Sequence, residues 1–186
     1  MIKTEKISKR VFLGGTCNES TWRKRMMIYL SEAGLDYFNP VVNDWTEDCM
    51  KKELEERKTC DFCLYTITPK MTGVYSVAEV IDDSNKRPNK TILVLLRNDE
   101  NERFTDGQWK SLGAVAKMVR KNGGRVFDNL KSASIFIVEF NRILKGGSKM
   151  YNNSIRKEIC WHVYNLAFKF FGKTRLWPKL GFIIWK

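Results

Sequence analysis

The stretch from Asp61 to Val80 constrains the fold of this chain more than any other. Its first half, Phe62-Cys-Leu-Tyr-Thr-Ile67, is apolar enough for a strand buried on both faces. Pro69 and Gly73 mark a short turn, and a helix opens near Ser76. A second continuous apolar run, Lys90-Thr-Ile-Leu-Val-Leu-Leu96, follows that helix and reads as another fully buried strand. Strands that alternate with helices through short turns form a parallel sheet covered on both faces.

The rest of the chain keeps this alternation. Arg10-Val-Phe-Leu-Gly-Gly15 is a first strand. Ser20 or Thr21 caps a helix through Ala33, with Trp22, Met26, Met27 and Leu30 as its apolar face and Gly34 as its stop. Leu35 to Val42 is a short strand carrying Asn39-Pro40. Glu47 to Lys58 is a strongly charged helix, and its Glu53/Arg57 pair at i,i+4 suits a solvated face. Residues 97–106 read as a polar loop, Trp109 to Lys121 as a helix, Arg125-Val-Phe127 as a last strand, and Asn129 onward as helix. The expectation is an α/β fold with a five-stranded parallel sheet over residues 1–145, followed by a basic, aromatic helical extension over residues 146–186.

Charge supports that division. Of a formal net charge of +12, residues 141–186 carry most, with 10 Lys and Arg against one acidic residue, Glu158. The basic character therefore belongs to the C-terminal quarter, which argues against a nucleic-acid-binding surface spread over the whole protein. Met1 to Arg10 is polar and lysine-rich without an apolar core of a signal sequence, and the five cysteines are irregularly spaced. Both features suit reduced thiols in a cytoplasm. Cys60-Asp-Phe-Cys63 matches C-x-x-C but enters a strand, and no second pair completes a metal site. With His162 the single histidine, neither a metal nor a Cys/His or Ser/His triad is expected, and no cofactor is called for.

Chemically suggestive residues gather at the predicted strand ends, where open α/β sheets bind ligands. Glu79 falls in the first turn of its helix among Val77, Ala78, Val80 and Ile81, so it is either a partner for the helix dipole or a working carboxylate. Gly14-Gly15 lets a ligand approach the backbone, and Arg23 and Arg25 lie in the first turns of the next helix, where an anion can bind. Asn39 and Asp44 flank the second strand, and Thr72, Gly73, Tyr75 and Ser76 precede Glu79. Neither a dinucleotide fingerprint nor a P-loop is present.

Taken together, Phe12-Leu-Gly-Gly-Thr16 with Trp22-Arg23, then Tyr37-Phe-Asn-Pro-Val-Val42, then Thr72-Gly-Val-Tyr-Ser-Val-Ala-Glu79 resemble the nucleoside 2-deoxyribosyltransferase-like family, in its bacterial and phage branch. The resemblance covers roughly residues 9 to 130. It implies a flavodoxin-like sheet and cleavage or exchange of an N-glycosidic bond, with Glu79 matching the glutamate that attacks the anomeric carbon. The family places an acid for the leaving base near the end of the Asp61 strand. Asp61 itself falls at the start of that strand, and Asp44 is geometrically easier to accept; a helix or turn cap is the alternative for both. Gly73 stands where the transferases carry an aspartate, and Phe12 and Leu13 stand where they carry a tyrosine. Relatives that hydrolyse nucleoside 5′-monophosphates hold phosphate with a serine, a role for Ser76 helped by Arg23 or the helix N-terminus. The substrate class stays open between free nucleoside and nucleotide, as does binding without turnover.

In the extension, Ile155, Ile159, Val163, Leu166 and Phe170 share one wide face, with Trp161, Tyr164, Phe168 and Phe171 beside it. Three occupants suit such a face: its own domain or a second subunit in a homo-oligomer, a membrane surface, or single-stranded nucleic acid.

Overall fold

A computed structural model describes residues 9–144 of the chain apart from Trp45, with side chains through Asn141. The extension over residues 146–186 lies outside the described residues. The elements in order are β1 (Arg10–Gly15), α1 (Trp22–Glu32), β2 (Asp36–Phe38), α2 (Glu47–Thr59), β3 (Phe62–Ile67), α3 (Tyr75–Lys86), a 3-10 turn (Pro88–Lys90) and β4 (Thr91–Leu95). A two-stranded antiparallel hairpin of β5 (Asn98–Asp99) and β6 (Glu102–Arg103) precedes α4 (Asp106–Lys121), β7 (Arg125–Phe127) and α5 (Leu130–Leu144).

Five strands form one parallel sheet in the order β2-β1-β3-β4-β7, the flavodoxin-like arrangement. β3 and β4, the two apolar runs, lie at its centre, and every residue of both is buried. The alternation of their side chains divides the interior in two. Phe62, Leu64, Ile92 and Val94 pack with Trp22, Met26 and Leu30 of α1 and Leu130, Ala133 and Ile137 of α5. Cys63, Tyr65, Leu93 and Leu95 face Val80 of α3 and Leu112, Ala116 and Val119 of α4.

Several expected boundaries move for identifiable reasons. The second strand is three residues long and stops before Asn39, whose side chain accepts a hydrogen bond from Val41 N at 3.2 Å and turns the chain locally. α4 begins at Asp106 because Thr105 and Gln108 form a capping box. The loop expected over residues 97–106 contains the small hairpin. α3 opens at Tyr75, which puts Glu79 beyond its first turn, so the helix-dipole reading of Glu79 is set aside.

Strand order fixes where a ligand would enter. The chain moves outward from β1 to β2 and then back across to β3, so the connections leave in opposite directions at the carboxyl ends of β1 and β3. Such a switch point opens a crevice between the two connections.

Candidate active site

The loops over that crevice are tied to one another. Thr16 N donates to Thr66 O at 2.9 Å, and Thr68 N donates to Thr16 Oγ1 at 2.9 Å. Asn18 Nδ2 donates to Thr72 Oγ1 at 2.7 Å, and Lys70 pairs with Glu100 at 2.7 Å. Ser20 donates to Asp99, joining the β1–α1 connection to the hairpin.

The two glycines that end β1 have a different purpose from the expected one. A Cβ on Gly14 would lie 2.7 Å from the Tyr65 ring, and one on Gly15 would lie 2.1 Å from Thr66 O. Gly15 also has φ +117°, which side-chain-bearing residues rarely adopt. Both glycines are required by β3, Gly14 making room for the ring of Tyr65 beside it.

Arg23 is likewise corrected. It was expected to hold an anion, but it is only 5% exposed and its donors are spent on the end of β1. Nε donates to Leu13 O at 3.1 Å, Nη2 to Gly15 O at 3.0 Å, and Nη1 to Thr16 O. The guanidinium also lies 4.5 Å from the Trp22 ring centroid, while Trp22 Nε1 donates to Thr16 O at 2.8 Å. Two side chains of α1 thus shape the floor of the crevice. Arg25 is exposed.

Asp61 sits at the opposite end of the sheet. It immediately precedes β3, accepts from Arg10 N at 2.9 Å and pairs with Lys9 at 2.5 Å, so it pins the amino end of β1 and cannot serve a site at the carboxyl ends. Asp44 is exposed in the β2–α2 connection and takes no part in the cluster around Glu79; the cap of α2 is Thr46. Gly73 and Tyr75 are exposed and Ser76 is half-buried at the opening of α3, alongside the crevice loops.

Glu79 itself is 6% exposed and belongs to a charged cluster between α2, α3 and β3. Arg57 Nη1 donates to Glu79 Oε1 at 2.8 Å. The same guanidinium donates from Nη2 to Asp83 Oδ1 at 2.9 Å and from Nε to Asp83 Oδ2 at 3.4 Å. Tyr65 Oη donates to Asp83 Oδ2 at 2.5 Å, and Arg87 also donates to Asp83. Glu79 Oε2 takes no hydrogen bond from the described residues.

The electrostatics follow from this sharing. Burial pushes the Glu79 carboxyl up to about 7, Arg57 opposing it and Glu53 and Asp83 adding to the rise. Asp83 is more deeply buried, yet its hydrogen bonds from Arg57, Tyr65 and Arg87 outweigh burial and hold it below the usual carboxylate range. Burial, with Asp83 close by, raises Tyr65 as well, so its hydroxyl remains a donor. Burial holds the Cys60 and Cys63 thiols up at about 12, so both stay protonated and unreactive.

Arg57, Asp83 and Tyr65 were not singled out in the sequence, and Arg57 was read as solvated. The signal for it was in α2. A helix over a sheet must bury one face, and the stripe that α2 turns inward is Glu53, Glu56, Arg57 and Cys60. A helix without an apolar stripe implies that charge is what it buries. On α3, the matching sign is Glu79 and Asp83 at i,i+4 flanking Val80.

The arrangement is a buried carboxylate held by one hydrogen bond, in surroundings that push its ionisation up to about pH 7. Such perturbed groups mark functional sites more often than bulk positions. Comparison with curated proteins gives no match. Residues 8–98 match the family model described as nucleoside 2-deoxyribosyltransferase like. That segment contains β1 through β4 and every member of the Arg57 cluster. Over residues 8–98, therefore, the chain is similar to the nucleoside 2-deoxyribosyltransferase-like family.

Proposed function

We propose that this α/β domain cleaves or exchanges the N-glycosidic bond of a (deoxy)nucleoside or nucleoside 5′-monophosphate, with Glu79 as the nucleophile. The observation that carries the reading is the one-sided engagement of Glu79: Arg57 holds Oε1 at 2.8 Å and leaves Oε2 without a partner among the described residues. Ionised Oε2 attacks the anomeric carbon as the nucleobase departs with the bonding electrons, giving a glycosyl ester. Water or a second base then attacks the same carbon and releases Glu79, so configuration is retained overall. Arg57 orients the carboxylate and receives it back as an anion in the second step. On this reading Ser76, in the opening turn of α3, holds the 5′-phosphate, which is supported by a helix end that no side chain caps.

A second reading is favoured by the depth of Glu79 and by Gly73, which stands where the transferases carry an acid. On it, the scaffold binds a nucleotide without turnover, and the basic residues 146–186 contact nucleic acid, a membrane or a protein. A cytoplasmic, homo-oligomeric protein is compatible with both readings; among the described residues no helix is long and apolar enough to cross a membrane.

Chromatography separates the two. The protein is incubated with deoxynucleosides, ribonucleosides and their 5′-monophosphates, with and without an acceptor base. The enzyme reading expects free base, lost by roughly 10³-fold or more in Glu79→Gln. No base from any substrate, with folded protein, overturns it. Salt-sensitive nucleic-acid binding that disappears on deleting residues 146–186 would then support the second reading.

A further inference from the structure

We propose that Asp83 is a positioning residue for Glu79, fixing through its grip on Arg57 how much of that guanidinium's charge Glu79 receives. The inference rests on Glu79 being the working carboxylate. A guanidinium offered one carboxylate forms a two-pronged pair with it. Here the two-pronged contact, through Nη2 and Nε, goes to Asp83, and Glu79 is left with the single lateral contact from Nη1. Asp83 is fully buried and gathers further donors from Tyr65 and Arg87. It therefore out-competes Glu79 for Arg57 and keeps the cation displaced toward the sheet. A Glu79 that took the two-pronged contact would have both oxygens occupied and its charge neutralised, and would attack a sugar poorly.

The groups that face Glu79 are Arg57 and Glu53 from α2 and Asp83 from its own helix. From β3, Tyr65 and Cys63 face Asp83, and Arg87 reaches Asp83 from beyond the end of α3. Asp83→Asn removes a neighbouring negative charge and frees Arg57 for Glu79, and both effects favour ionised Glu79. Arg87→Gln removes a positive charge and makes Asp83 lean harder on Arg57, and both effects oppose it. The two variants are thus expected to act in opposite directions.

The test is a ¹³C NMR titration of the Glu79 side-chain carboxyl in the full chain, assigned by its loss in Glu79→Gln. Asp83→Asn is expected to lower the midpoint by about one pH unit or more, and Arg87→Gln to raise it by about half a unit. Asp82→Asn, which removes an exposed carboxylate paired with Lys86, is expected to leave it in place. An unchanged or raised midpoint in Asp83→Asn overturns the proposal, as does a shift of both variants in the same direction. Should Asp83→Asn fail to fold, Arg87→Gln decides alone, and an unchanged or lowered midpoint overturns it. The titration needs no substrate. Opposite shifts without base release would leave the coupling of Asp83 to Glu79 standing and defeat the enzyme reading that gives it a catalytic meaning; base release with unshifted midpoints would do the reverse.

Discussion

Two arginines are each only 5% exposed, and they do different work. Arg23 gives its hydrogen bonds to three backbone carbonyls at the end of β1. Arg57 gives its own to two carboxylates. Carbonyls satisfy the donors of a buried cation without balancing its charge, and burial accordingly lowers the affinity of Arg23 for its proton. For Arg57 burial also works against the charge, but the hydrogen bond to Asp83 and the surrounding anions more than restore it. A buried arginine held by carbonyls shapes a backbone; one held by carboxylates sets their ionisation.

The comparison is sharpest where one arginine should respond to pH and the other should not. Arg57→Met leaves two buried carboxylates without their shared cation, and is expected to cost about 3–5 kcal/mol of stability at pH 8. The cost should shrink at pH 5, where Glu79 is protonated in the folded protein. Arg23→Met takes one donor from each of three carbonyls, of which Thr16 O keeps Trp22 Nε1, and is expected to cost about 1–3 kcal/mol, equally at pH 5 and pH 8. Urea denaturation at the two pH values measures both. A pH-independent loss in Arg57→Met, or a pH-dependent one in Arg23→Met, would break the distinction.

Glu79→Gln tests the anionic side of the same contrast. The folded carboxyl ionises near 7 against an ordinary value of 4.5, so its contribution to stability is complete below pH 4.5 and is lost as pH rises through 7. The wild-type protein should therefore lose about 1–3 kcal/mol between pH 5 and pH 8 on account of Glu79, and Glu79→Gln should not. Asp83 has the opposite sign, because its lowered value makes its contribution disappear only in acid, outside this window. Smallest of all, Asp61→Asn removes a partly exposed pair with Lys9 at the far end of the sheet. It should change stability by about 0–1 kcal/mol and leave base release untouched.

These contrasts also mark what was legible in the sequence. Phe62–Ile67 and Thr91–Leu95 announce themselves because a strand covered on both faces has little room for polar residues, and with them the parallel sheet follows. Glu79 stands out because its neighbours are apolar. Arg57 does not, because an arginine paired at i,i+4 on a charged helix has the same local pattern whether that face meets water or a buried carboxylate. The contact that buries it joins residues 22 and 26 positions apart, beyond any local periodicity. Gly14 is similar: its vacancy reads as space for a ligand until the Tyr65 ring on the adjacent strand is seen to fill it. Local chemistry singles out the candidate carboxylate; the groups that shift its ionisation are set by packing between elements.

A covalent bond between Glu79 and the sugar is what sets the proposed enzyme apart from a binding module. The measurement is rapid acid quench of the protein during turnover of whichever substrate releases base, followed by peptide mass spectrometry. The expected result is a glycosyl mass increment on the peptide carrying Glu79, absent from Glu79→Gln. An increment on a different residue, or base release with no adduct at any quench time, would contradict the assignment of Glu79 as nucleophile.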